Sequence, residues 1–155
     1  MTSITLAAGC FWGVEAHFQN LAGIESTRVG YIGGKTSNPD YKQVCTGTSG
    51  HAEAIELHFN PEIISVEALL LNFWQMHDPT TLNQQGPDIG TQYRSAVFYH
   101  NEQQQQLAEA TKQHLNNRQV FRSPIVTEIT AVSTFYPAEE YHQCYLEKKG
   151  LGSCH

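Results

Sequence analysis

The stretch Ser3-Ile4-Thr5-Leu6-Ala7-Ala8-Gly9-Cys10-Phe11-Trp12-Gly13-Val14 changes its structural period in mid-course. Residues 3–8 are a short run with β-branched members that stops at a glycine, whereas Val14, Phe18 and Leu21 fall on the apolar stripe of a helix over residues 12–21. The reading is strand, turn, helix, with Cys10 at the junction. A thiol at a helix N-terminus faces unpaired N–H groups and the positive end of the helix dipole, which favour the thiolate. Phe11 and Trp12 set two aromatic surfaces beside it, and Gly9 and Gly13 permit tight backbone geometry. Two readings stand at this point. Cys10 is either a nucleophile next to an apolar pocket or a small buried cysteine in a turn, and a lone cysteine does not choose between them.

Working outward, 155 residues fit one domain spanning 1–155, which needs no disulfide or metal to bury a core. The formal charge of −6, from 9 basic and 15 acidic side chains, argues against nucleic-acid and anionic-membrane partners. Four cysteines (Cys10, Cys45, Cys144 and Cys154) are too sparse for a secreted disulfide scaffold and point to a reducing, cytoplasmic compartment. Leu6 to Cys10 imitates a lipoprotein processing site. However, only nine residues precede the cysteine, none of them basic, and no apolar core stands in front of it. No run is apolar for long enough to form a membrane helix.

Strand character returns over residues 24–32 and stops at Gly33-Gly34. Residues 35–50 read as a long polar loop holding Tyr41 and Cys45, and long loops on small domains tend to be functional. In residues 51–59, Ile55, Leu57 and Phe59 share one face, and stepping back by two places Glu53 on it. A carboxyl on a core face is desolvated and holds its proton toward neutral pH, as a general acid must. If the strand end is exposed, Glu53 is instead a solvated rim residue.

Ser65 caps an apolar-striped helix to His77, and a polar loop over 78–90 delivers Asp88 to a strand over 92–100 that carries Tyr93. Asn101 caps a polar helix to about Asn117, a further strand covers 125–132, and Pro137 opens a last helix with Tyr141, Cys144 and Tyr145 on one side. Gly150 and Gly152 then release a flexible tail with Cys154, so residues 143–155 are expected as helix end and mobile tail. The order of elements predicts an α+β two-layer sandwich. Its core is a split βαβ (ferredoxin-like) unit with an extra helix and strand and a C-terminal helix.

Gly9-Cys10-Phe11-Trp12-Gly13, Tyr41 to Cys45, Gly50-His51-Ala52-Glu53, Asp88 to Ser95 and Tyr141-His142-Gln143 occur in one order along nearly the whole chain. In this the sequence closely resembles the A-type peptide methionine sulfoxide reductases. The resemblance implies reduction of methionine S-sulfoxide, free or in oxidised proteins, without metal or organic cofactor. The chain is expected to act as a monomer. It implies Cys10 as the nucleophile, Glu53 as the general acid, Tyr41 and Tyr93 as phenolic donors to the sulfoxide oxygen, Asp88 in the supporting network, and Phe11 and Trp12 around the S-methyl group. The sulfenic acid left on Cys10 would condense with Cys154, the resolving cysteine, and thioredoxin or another dithiol would reduce the disulfide. Cys144 is the alternative resolving thiol, read here as a packing residue, and Cys45 is given no catalytic role.

Two other functions use the same residues. A peroxide-reducing thiol enzyme would need the nucleophile and resolver but no aromatic methyl slot. A metal-binding module could draw on Cys144, Cys154, His142 and His155, although no Cys-x-x-Cys pair supports it.

Overall fold

Period-two runs build one sheet, and the helices between them share a single core with it. A computed structural model describes residues 2–145. In chain order it contains β1 (Thr2–Ala8), α1 (Phe11–Phe18), β2 (Ile24–Ile32), α2 (Tyr41–Cys45), β3 (Ala52–Phe59), α3 (Val66–Met76), β4 (Gln84–Gln85), β5 (Asp88–Ile89), β6 (Ser95–Tyr99), α4 (Glu102–Asn117), β7 (Glu128–Ala131) and β8 (Tyr136–Pro137). Single 3-10 turns cover Thr91–Tyr93 and Glu140–His142. The result is a mixed α/β architecture around a six-stranded sheet of order β7-β6-β1-β3-β2-β8, with β4 and β5 forming a separate hairpin. β3 runs antiparallel to both β1 and β2, and β6 runs antiparallel to β1. β7 lies parallel to β6, reached through α4 as parallel neighbours require.

The two faces of the sheet are covered unequally. Leu6, Val29, Tyr31, Ile55, Leu57 and Val97 join Val14 and Phe18 of α1, Leu69, Leu70, Phe73 and Trp74 of α3, and Ala108 of α4 in the main core. The opposite face carries small residues, Ala7, Ala52, Ala54 and Ala96, with Ile32 and Phe98, and is covered by Val132 and Phe135. Small side chains there suit a cover made by one extended segment. Ser65 and Asn101 cap α3 and α4 through Ala68 N–H and Gln104 N–H, as their sequence positions predict. Buried His77 ends α3 by bonding Phe73 O and Ser95 Oγ at 2.6 and 2.8 Å, and Ser95 continues to Thr127 at 2.7 Å.

Three expectations need correction. Residues 35–50 are not all loop, because Asp40 and Gln43 form a reciprocal capping box that starts α2. The strand expected from 92 begins only at Ser95, since Tyr93 N–H and Arg94 N–H turn back onto Gly90 and Thr91. Pro137 opens no helix. It pairs with Gly30 on the outer strand β8, where its missing N–H is tolerated, and residues 140–142 make one 3-10 turn. Tyr141, Cys144 and Tyr145 therefore diverge instead of sharing a helix face. Residues 146–155, including Cys154, lie outside the described residues.

The turn before β3 is fixed by contact. His51 accepts from Gly34 N–H at 3.1 Å and meets Thr36 O at 2.6 Å. A Cβ on Gly34 would lie 2.4 Å from His51 N and 2.5 Å from Ser49 O, both backbone atoms. Gly34→Ala is expected to cost about 2 kcal/mol, in the range of overpacking changes, measured as a lowered urea midpoint at unchanged slope.

Candidate active site

Cys10 is the N-cap residue of α1, with φ −57° and ψ 120°, and its side chain does not cap the helix. The preceding Gly9 has φ +97°, and a Cβ there would stand 2.8 Å from Gln85 Cγ of β4, so both conformation and space call for glycine. The first helical N–H, that of Phe11, is taken by Glu53 Oε1 of β3 at 3.1 Å. Glu53 faces the main core opposite Tyr31 in register and is only 1% exposed. Its other oxygen, Oε2, has no hydrogen-bond partner among the described residues.

Burial pushes the Glu53 carboxyl up to about 8, the Phe11 amide pulls against this, and the charge of Asp88 adds to the rise. Tyr93 is pushed up to about 12, chiefly by burial and then by the charges of Glu53, Cys45, Asp88 and Cys10. Tyr41 is also raised, chiefly by burial and then by Cys45 one turn along α2. At neutral pH, Glu53, Tyr41 and Tyr93 therefore all hold their protons. Asp88, on β5, acts here through its charge.

Phe11 is 1% exposed and packs its ring 5.8 Å from Tyr31, 6.5 Å from Tyr41 and 5.3 Å from His142, centroid to centroid, so it is a floor and not an open surface. Trp12 is half-buried, with Tyr41 at 6.4 Å and Tyr145 stacked on it at 3.9 Å. Cys10, Phe11, Trp12, Tyr41, Glu53, Asp88 and Tyr93 thus converge from α1, α2, β3, β5 and the turn before β6. Cys45 is exposed, and burial raises its thiol more than Tyr41 lowers it.

Sequence reasoning missed the outer ring of this cluster. Glu139 accepts from Tyr31 Oη at 2.8 Å and Tyr41 N at 3.1 Å. Buried Glu15 accepts from Thr27 Oγ1 at 2.7 Å, Cys144 N at 2.6 Å and, more loosely, Cys144 Sγ at 3.9 Å. His142 Nδ1 accepts from Trp12 Nε1 at 2.9 Å. The sequence signals were the helical i, i+4 relation of Phe11 to Glu15 and the aromatic density around His142. Among the described residues, no group of three or more His, Cys, Asp or Glu side chains could hold a metal ion, and no helix is long and apolar enough to cross a membrane. Two members of the suggested metal set, His142 and Cys144, are engaged by Trp12 and Glu15, and the other two, Cys154 and His155, lie outside the described residues.

Fold and cluster define a mixed α/β protein with a cysteine at a helix start facing a proton-holding carboxyl, a layout suited to thiol redox chemistry. The chain matches the family described as peptide methionine sulfoxide reductase over residues 2–155. It is 54% identical to the peptide methionine sulfoxide reductase MsrA of Acidobacterium capsulatum over 155 residues, 100% of this chain and 99% of that protein. The crystal structure of Mxr1 from Saccharomyces cerevisiae in reduced form superposes with a TM-score of 0.89 at 39% identity, covering 97% of this chain and 87% of the other. Mxr1 from the same yeast in complex with Trx2 gives a TM-score of 0.65 at 26% identity, over 93% and 84% of the two chains. The chain belongs to the peptide methionine sulfoxide reductase family and is an oxidoreductase.

The raised carboxyl has a consequence for stability. Below about 4.5, the ordinary value, folded and unfolded chains both hold the Glu53 proton, and between there and about 8 only the folded chain does. The folded state binds more protons across that window, so stability falls as pH rises through it. Glu53→Gln is expected to flatten this slope, gaining on the order of a few kcal/mol on the wild type between about pH 5 and about pH 8. Urea titrations at the two pH values check it.

Proposed function

We propose that the chain reduces the S epimer of methionine sulfoxide, free or in oxidised proteins, with Cys10 as nucleophile. The observation that carries this reading is the Glu53 carboxyl, protonated at neutral pH and tied at 3.1 Å to the amide of the residue after Cys10. The Cys10 thiolate attacks the sulfoxide sulfur to form an S–S bond, while Glu53 as general acid gives one proton to the sulfoxide oxygen and Tyr41 and Tyr93 donate hydrogen bonds to it. The hydroxyl then passes to the Cys10 sulfur as the methionine sulfur loses both its S–O and its S–S bond and keeps an electron pair, so methionine leaves as the thioether and Cys10 is left as a sulfenic acid. Trp12 provides the apolar wall for the S-methyl group over the Phe11 floor, and the Asp88 charge helps keep Glu53 protonated.

Cys154 then attacks the sulfenic acid, releasing water and forming a disulfide, and a dithiol reductant restores both thiols by exchange. The yeast relative solved with Trx2 supports a thioredoxin as that reductant. Cys144 is the alternative resolver. Its amide and thiol both reach Glu15, which supports a packing role. We read the protein as a monomer, and the sparse cysteines support action in the cytoplasm. The order β6-β1-β3-β2, with β1 and β2 both antiparallel to β3, supports a split βαβ core extended by β7 and β8.

Product analysis on the separated sulfoxide epimers tests the reaction and its stereochemistry together. The S epimer is expected to yield methionine, and consumption of the R epimer alone would sink the reading. Rate is expected to fall above about pH 8 as Glu53 ionises, and Glu53→Gln to slow reduction about a hundredfold or more while alkylation of Cys10 changes little. Cys154→Ser is expected to give one turnover and a trappable Cys10 sulfenic acid. Sustained thioredoxin-supported cycling in that variant would move the resolving role to Cys144.

A further inference from the structure

The wall proposed for the substrate methyl group is itself held in place. An indole N–H can only donate, and that of Trp12 ends on His142 Nδ1 at 2.9 Å. His142 Nδ1 must therefore be bare, which requires the neutral ring with its proton on Nε2. Burial at 1% exposure keeps the ring in that form against the opposing pull of the Glu139 carboxylate. The ring also lies 5.6 Å from the Trp12 ring and 4.5 Å from the Tyr41 ring, centroid to centroid, so it touches both the wall and a proposed donor.

His142 is in turn fixed to the sheet. Its N–H returns to Glu139 O at 2.9 Å. The next residue, Gln143, bonds both Val29 N and Val29 O at 2.9 Å and Ala138 O at 3.0 Å through its side chain. A rigid path thus runs from the middle of β2 through Gln143 and His142 to the edge of the Trp12 indole. Tyr145, three residues after His142, stacks on a face of the same indole at 3.9 Å and 13°. Trp12 is gripped on one edge and one face by a single segment.

We propose that His142 is a positioning residue that sets the orientation of Trp12, and through it how closely the site fits a methyl group in preference to a larger alkyl on the sulfoxide sulfur. This rests on the reading of Trp12 as the methyl wall. His142 touches no reacting atom in this scheme. Its effect belongs in binding and discrimination, not in the proton transfer to oxygen.

The test compares methionine sulfoxide with ethionine sulfoxide, which carries one more CH2, in the wild type, His142→Phe, His142→Gln, Trp12→Phe and the double variant His142→Phe/Trp12→Phe. Phe keeps a ring but removes the acceptor, while Gln keeps an acceptor oxygen. His142→Phe is expected to lower kcat/KM for methionine sulfoxide about tenfold, mainly through KM, and to narrow the preference for methyl over ethyl by a similar factor. His142→Gln is expected to recover much of that preference. In the Trp12→Phe background, His142→Phe is expected to change little further, because paired residues are not additive. Additive losses, a loss confined to kcat, or an unchanged methyl preference in His142→Phe would each overturn the proposal while leaving sulfoxide reduction by the wild type intact. A wild type inert to both sulfoxides would instead remove the underlying reading and the proposal with it. Folding of each variant is checked by near-UV circular dichroism, and should His142→Phe fail to fold, the Gln variant and its double with Trp12→Phe carry the same comparison.

Discussion

The hydrogen bond from Phe11 N–H to Glu53 Oε1 ties the start of α1 to β3, the two elements that the proposed chemistry needs in one place. It occupies an orphan donor at the start of α1, so the helix begins with a side chain from β3 as its partner and not with one of its own residues. Cys10, the N-cap residue, is the immediate chain neighbour of the amide that the carboxyl holds. The same bond explains how Glu53 can sit in the core at all. A buried carboxyl with one satisfied oxygen costs less than an isolated one, and keeping its proton removes the charge. Register does the rest, since β1 ends at Ala8, one glycine before the helix cap, while β3 brings Glu53 opposite Tyr31 on the face that α1 covers.

The segment 138–145 serves this core from outside. Ala138 N–H bonds Val29 O, Glu139 ties Tyr31 to the start of α2, His142 meets Trp12, and Cys144 N–H meets Glu15 within α1. Each contact fixes a different element of the site against one short stretch of chain. Cys144 takes a left-handed φ of 53°, turning its amide toward Glu15 and its neighbour Tyr145 onto Trp12. The path of the last described residues is thus set by buried polar partners and not by a helical repeat.

This is also where the sequence stopped being legible. Elements with their own periodicity or cap were readable: β1, β2, β3, α3 and α4 lie within a few residues of expectation, and the face carrying Glu53 followed from simple alternation. Elements made by long-range contact were not. Pro137 with two following glutamates satisfies every local rule for a helix start, yet pairing with Gly30 prevails because β2 offers an unpaired edge. The α2 helix escaped notice because five residues leave no periodic signal, and only its Asp40 and Gln43 box marks it. Among the proposed site residues, those on strand faces or helix starts could be named from local pattern. The contacts of Glu15, Glu139 and His142 could not, because their partners lie about a hundred or more residues away in sequence or on another element.

Glu53 and Glu139 show how one small region keeps two carboxyls in opposite states. Both are desolvated, and burial alone would raise both. Glu53 receives a single amide bond on one oxygen and feels the negative charge of Asp88, so burial prevails and it keeps its proton. For Glu139, bonds from its own backbone, the Tyr31 hydroxyl and the Tyr41 amide outweigh burial and hold it below the usual carboxylate range. The number of donors aimed at each group decides the outcome. The ionised Glu139 then anchors Tyr31 and the first residue of α2, which fixes where the Tyr41 ring stands over Phe11. Were the donor sets exchanged, the acid beside Cys10 would be ionised at neutral pH and the aromatic wall would lose its anchor. The placement of donors, more than the identity of either glutamate, therefore separates the carboxyl that keeps its proton from the one that serves as a scaffold.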